Sequence, residues 1–234
     1  MKTPPMWKSI ICLAKSRKTG GHCIAGRELL SGNKIGAWIR PISSRETEEI
    51  SDDDCRLESG TQPQLLDIIK IRLKAHSPNS FQRENYLIDE NCCWEKLGKA
   101  DLNIISKLLD FPVTLWPPHS SNYNGLSDRV EECSTSELTK SLYLINPEKL
   151  SILVRTEGEE FRDPRRRVRA KFIYHNEEYI FSITDPIVER HFIGKDEGDY
   201  EVYIGRGPVV MCISIGRPWK DNYCYKFVAS IIET

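Results

Sequence analysis

The sequence predicts a mainly β protein with minor α content, built as two small barrels in tandem, each with about five strands and one short helix. Short runs of β-branched and aromatic residues recur along the chain, separated by turns that carry Gly, Pro or Asn. Helical spacing appears in only two brief stretches, too few for a parallel sheet that needs a helix at each crossover. Between the halves, residues 117–140 change composition towards Pro, Ser and Asn, which marks a connection and places the barrels at 1–116 and 141–234.

In the first half, Pro4 and Pro5 keep the lead irregular. Residues 9–14, SIICLA, read as a buried strand, and 15–21, KSRKTGG, as a turn rich in cations and glycine. Residues 22–26 return as a second strand, and 34–40, KIGAWIR, form a third that Pro41 closes. A long acidic loop covers 43–64. Residues 66–75 make a long strand in which Ile69, Ile71, Leu73 and Ala75 alternate with Lys70, Arg72 and Lys74. A weaker strand is expected over 81–88, a helix over 101–110 with Asp101 as its N-cap, and a short strand over 113–116.

In the second half, residues 142–145 and 148–155 read as strands, followed by a hairpin. Its first arm alternates Arg167, Arg169 and Lys171 with Val168, Ala170 and Phe172, so one face enters a core while the other projects a row of cations. Arg165 extends the row and Arg166 adds charge at its start. Residues 179–183 return. Asp185 and Pro186 are the cap and first residue of a helix over 184–192. Strands over 200–204, 209–215 and 223–232 complete the set, with a turn at 216–221.

Net charge is −1, so affinity for a polyanion has to come from local patches. The acids Glu46, Glu48, Glu49, Asp52, Asp53 and Asp54 crowd one loop. The eight cysteines show no CxxC pair, which leaves a zinc site without its usual spacing. Cys12, Cys212 and Cys224 sit in strand-like apolar runs as small buried hydrophobes. The first apolar run spans only five residues, too short for a signal peptide, and no segment approaches membrane-spanning length. A cytoplasmic setting is expected, with no membrane partner.

Several segments taken together resemble a known family. They are Ile11–Lys18, His22–Gly26, Trp38-Ile39-Arg40-Pro41, Ser214–Pro218 and Tyr225–Ala229, and they span nearly the whole chain. In order and spacing they resemble the dual OB-containing family of prokaryotic proteins. The resemblance implies tandem OB folds, a prokaryotic source and a nucleic-acid role in defence or mobile-element conflict. It carries no catalytic residues. An OB fold binds oligonucleotides on one barrel face, where cations track phosphates and aromatics stack on bases.

The expected contacts are Lys15, Arg17, Lys18, Arg40, Lys70, Arg72 and Lys74 in the first half. In the second they are Arg165, Arg166, Arg167, Arg169 and Lys171, with Trp219 and Lys220 in a turn. Single-stranded DNA or RNA is the favoured partner, and no cofactor or metal is expected. The turn at 15–21 lacks the P-loop pattern, although its glycines let N–H groups converge on an anion. The rival expectation is an adaptor whose acidic loop and basic hairpin meet a protein partner or a second copy. A metal-dependent nuclease is disfavoured, because Asp163, Asp185, Glu189, Asp196, Glu197 and Asp199 show no metal spacing.

Overall fold

The computed structural model describes residues 5–159, 162–201 and 209–234. Its two compact units are Met1–Leu109 with Thr139–Ser141, and Asp110–Leu138 with Leu142–Thr234. The stretch 117–140, read from composition as a connection, carries a strand and a 3-10 turn, and up to Leu138 it groups with the second unit.

The first unit holds β1 (Met6–Lys18), β2 (Gly21–Leu30), β3 (Lys34–Ile42), β4 (Asp67–His76), β5 (Asn85–Ile88) and β6 (Glu95–Lys99). The sheet order is β1-β2-β3-β5-β4-β6, and β1 also pairs with β4. The path β1-β2-β3-β5-β4 therefore closes on itself, with β3 and β5 parallel and the other pairs antiparallel. This is the five-stranded Greek-key barrel of an OB fold. Alternation fills it: Ile10, Cys12, Ile24, Ile39, Ile69, Ile71, Leu73 and Ile88 point into one core, sealed by Ile50, Leu57 and Trp94 from the loops. At Gly26 a Cβ would lie 2.1 Å from the Ile11 carbonyl oxygen, so only glycine allows β1 and β2 to approach there. The basic turn is shorter than its composition implied. Strand pairing runs to Lys18 and resumes at Gly21, leaving Thr19 and Gly20 (φ 82°) as the hairpin turn. Strand β6 carried no sequence signal, with Glu, Lys and Gly outnumbering its one apolar residue. Asp101 caps a 3-10 turn at Leu102–Ile104, accepting the Asn103 N–H at 2.8 Å, and a single α turn, α1 (Ile105–Leu108), follows.

The second unit holds β7 (Arg129–Glu131), β8 (Leu142–Ile145), β9 (Lys149–Glu157), β10 (Arg165–Tyr174) and β11 (Glu177–Ile183). After them come α2 (Pro186–Phe192), β12 (Gly198–Tyr200), β13 (Val209–Pro218) and β14 (Tyr223–Glu233). The sheet path is β12-β9-β10-β11-β14-β13-β8. The central run β9-β10-β11-β14-β13 repeats the order of the first unit, again with one parallel pair, β11 and β14. The helix α2 lies in sequence between its third strand and the segment that returns to pair with the first, the usual OB position. The β10–β11 turn is His175-Asn176, both at positive φ, the I′ geometry that matches strand twist. Asp185 caps α2 through Ile187 and Val188 N–H groups, as its position before Pro186 predicts. Residues 113–116, expected as a strand, are not one; Leu115 and Trp116 are buried from an irregular segment. Most of the strand expected at 200–204 lies outside the described residues. All eight cysteines are free, and burial pushes the Cys12 thiol up to about 12 and those of Cys55 and Cys224 to about 11.

Candidate nucleic-acid interface

The first barrel neutralises its own cation ladder. Lys70 Nζ lies 2.9 Å from Glu95 and 4.9 Å from the Trp7 ring centroid. Arg72 Nε is 3.4 Å from Asp89, and Lys74 Nζ is 3.5 Å from Glu90. These acids come from β6 and from the loop after β5, beside β4. Lys15 donates to Gln62 at 3.2 Å, Arg17 is exposed and Lys18 is half-buried. Arg40, expected on the surface, is buried and held by Glu84 and Ser141. The turn at Gly20 faces the Glu49 side chain, whose Oε1 would lie 3.7 Å from a Cβ there. The acidic loop is engaged within its own unit: Asp54 binds Arg45 at 2.5 Å, Asp53 binds Arg56, and Asp52 meets His22 at 2.9 Å.

In the second barrel the row on β10 divides. Arg169 is buried, its guanidinium bridging Glu157 at 2.6 and 2.9 Å and lying 3.6 Å from Asp128. Alternation does put Arg169 on the outer face, but the segment carrying Asp128 covers it there. Lys171 pairs with Glu178 at 3.4 Å, and Arg165 with Asp163 at 2.9 Å. Arg166 and Arg167 are exposed, and among the described residues no carboxylate lies within ion-pair distance of either. Strand pairing adds a residue that sequence reading overlooked. Arg155 on β9 stands directly opposite Arg167, also exposed. Directly opposed Cβ atoms lie roughly 5 Å apart, and like charges there are destabilising. Glu197 lies nearby. Its carboxylate accepts from Thr156 at 2.9 Å, and that bond, with the fields of Arg166 and Arg155, holds it below the usual range.

Trp219 is 65% exposed in the β13–β14 turn, with Lys220 beside it. They do not join the arginines. Arg169 pairs with Ser182, and Ser182 with Phe227. From that level β10 runs back to Arg165 while β14 runs back to Trp219 at the opposite end of the barrel.

The family model for the dual OB-containing domain matches residues 8–231. The chain belongs to that family. No curated protein matches it. A dual OB chain carries two copies of a barrel whose second and third strands and flanking loops take up oligonucleotides or oligosaccharides in other proteins. In this dual OB chain Arg155, Arg166 and Arg167 lie on the first two strands of the second barrel, towards the loop that joins them. Among the described residues no helix is long and apolar enough to cross a membrane.

The dual OB chain also buries a lysine. On β14 Cys224, Lys226 and Val228 point inward, and Lys226 is 1% exposed. Its Nζ lies 3.2 Å from His119 Nδ1, donates to the Ser127 carbonyl at 2.9 Å, and sits 5.9 Å from the Phe181 ring centroid. His119 Nε2 reaches Thr114 Oγ1 at 2.8 Å and Glu177 at 3.6 Å. Tyr179 donates to the same Glu177 carboxylate. Burial brings Lys226 down to about 7, against the opposing pull of Asp128 and Glu177. Burial, then the Lys226 charge, lowers His119 as well. The sequence held the signal: a lysine two residues from Cys224 and from Val228 in a strand takes the core-facing phase.

Proposed function

We propose that the chain is a non-catalytic nucleic-acid-binding protein that grips phosphates through the second barrel, with Arg155, Arg166 and Arg167 as its contacts. The observation that carries this reading is the exposed Arg155–Arg167 pair. Two like charges on directly opposed strand positions repel each other in the free protein, and Arg155 Nη1 turns to donate to the Val154 carbonyl at 2.9 Å. A polyanion between them would relieve that repulsion, and arginine forks suit phosphate geometry. The contrast with Lys70, Arg72 and Lys74, each beside a carboxylate of its own unit, moves the interface from both barrels to one. Single-stranded DNA or RNA is the favoured ligand, since OB barrels take extended strands against the second strand and the loop that precedes it. Engagement of Asp52, Asp53 and Asp54 within the first unit favours this reading over an adaptor that meets its partner through the acidic loop. A role in prokaryotic defence or mobile-element conflict is a finer proposal that rests on family resemblance alone. The test is fluorescence anisotropy with labelled single-stranded DNA, single-stranded RNA and duplexes. Binding that weakens with salt and with charge reversal at Arg155 and Arg167 supports the proposal, and no binding at low salt sinks it.

A further inference from the structure

Residues 119–128 form a loop that is organised within itself. Ser120 and Arg129 exchange backbone hydrogen bonds of 3.1 Å at its base. Asn122 Oδ1 accepts from the N–H groups of Asn124 and Gly125, and Asp128 Oδ1 accepts from Asn122 N–H at 2.8 Å. A Cβ at Gly125 would lie 2.0 Å from Asp128 Oδ2, so the loop is wrapped tightly on that carboxylate. On either side the chain is anchored by the buried Leu115 and Trp116 and by the buried Val130.

Three of the contacts that hold the loop to the barrel involve one residue. The Lys226 N–H donates to the Asp128 carbonyl at 2.8 Å, and Lys226 Nζ binds the Ser127 carbonyl and His119. Beyond that, Leu126 and Ile180 exchange backbone bonds of 3.2 and 3.1 Å on β11, and Asp128 lies 3.6 Å from Arg169. The charged and titratable groups facing this contact are His119 and Asp128 from the loop segment, Glu177 and Tyr179 from β11, and Arg169 from β10.

We propose that His119 and Lys226 form a proton-controlled latch, which closes the 119–128 loop over the β11–β14 seam while the pair holds no more than one proton beyond its neutral forms and releases it when the pair holds two. The reason is geometric. At 3.2 Å the two nitrogens share one hydrogen bond, which needs a donor on one side and a lone pair on the other. With no more than one proton on the pair beyond the neutral forms, the lysine nitrogen, amine or ammonium, donates to Nδ1 while His119 Nε2–H is satisfied by Thr114 and Glu177. With a second proton, two N–H groups of two cations face each other in a site from which water is largely excluded, and no lone pair remains between them. His119 sits at the edge of the site, its side chain 25% exposed, so it is the partner that swings out. The Ser127 and Leu126 contacts lie on the same compact loop and go with it. Release uncovers the backbone N–H and C=O of Ile180 on the third strand of the barrel, an edge that another chain segment can pair with.

Amide hydrogen exchange of the full chain tests this without any ligand, at about pH 8 and about pH 5.5 and corrected for intrinsic rates. The expected result is an about tenfold faster exchange of the amides of Leu126 and Ile180 at the lower pH, with the rest of the sheet unchanged. His119→Gln, which keeps a hydrogen-bonding side chain but takes up no proton, is expected to remove that difference. Lys226→Met, which leaves the histidine without a cationic neighbour, is expected to remove it too and serves where the glutamine variant does not fold. Equal protection at both pH values, or an undiminished difference in a folded variant, overturns the latch.

Discussion

Arg167 of β10 faces Arg155 of β9 across an antiparallel pair, and both side chains are exposed. The neighbouring cations of the same strand, Arg165, Arg169 and Lys171, all lie close to carboxylates. A protein selected only for stability has no use for this opposition, and replacing either arginine by a neutral residue should leave the fold intact. Arg155→Gln is expected to keep the stability or raise it slightly, by a few tenths of a kcal/mol, seen as an unchanged or slightly higher melting temperature. Thermal unfolding by circular dichroism checks it.

The cation ladder of β4 should behave differently. Lys70→Ala, Arg72→Ala and Lys74→Ala each remove a surface pair and are expected to cost about 0–1 kcal/mol. They should leave oligonucleotide affinity close to that of the parent. Denaturant titration measures the first effect and anisotropy the second.

Arg169 and Arg40 are structural in this arrangement. Truncating either strands a buried carboxylate, Glu157 and Asp128 in one case and Glu84 in the other. A loss of about 3–5 kcal/mol is expected for Arg169→Ala or Arg40→Ala, visible as a lowered denaturant midpoint. Reduced binding by these variants would therefore reflect unfolding, not a lost contact.

Lys226 makes stability depend on pH. Its folded value of about 7 lies below the usual unfolded value of about 10.4, so between them the unfolded chain binds one more proton. Stability therefore rises as pH rises from about 7 towards 10, by an amount on the order of a few kcal/mol. The depressed His119 adds to the loss below its ordinary range, since its unfolded form takes up a proton first. Lys226→Met should flatten the slope above pH 7. Midpoints of chemical denaturation across that range measure it, and an unchanged slope would contradict the buried, neutral amine.

Much of the fold was legible because alternation is local. The inward residues of β1, β4 and β10, the β10–β11 hairpin and the Asp185 cap all follow from neighbours in sequence. Strand β6 was not legible, because Lys96, Gly98 and Lys99 carry no apolar phase and the strand forms by pairing with β4. The exposure of the cations was less legible still. Alternation says which side of a sheet a side chain leaves, but Asp128 and Glu157 decide whether Arg169 reaches water, and they lie 41 and 12 residues away along the chain. Arg155 looked isolated in sequence, and only the β9–β10 register sets it against Arg167. Lys226 is readable from phase alone, since it alternates with Cys224 and Val228 on β14.

The central claim is that the second barrel binds a polyanion through Arg155 and Arg167. It is tested most directly by anisotropy of a labelled single-stranded oligonucleotide across a salt series, comparing the parent with the Arg155→Glu, Arg167→Glu double variant. The account predicts tight low-salt binding by the parent. It predicts a markedly weaker double variant, with a log–log salt slope shallower by about 1.4, at roughly 0.7 for each of two phosphate contacts on a single strand. Equal affinity and equal slope in a folded double variant would contradict it.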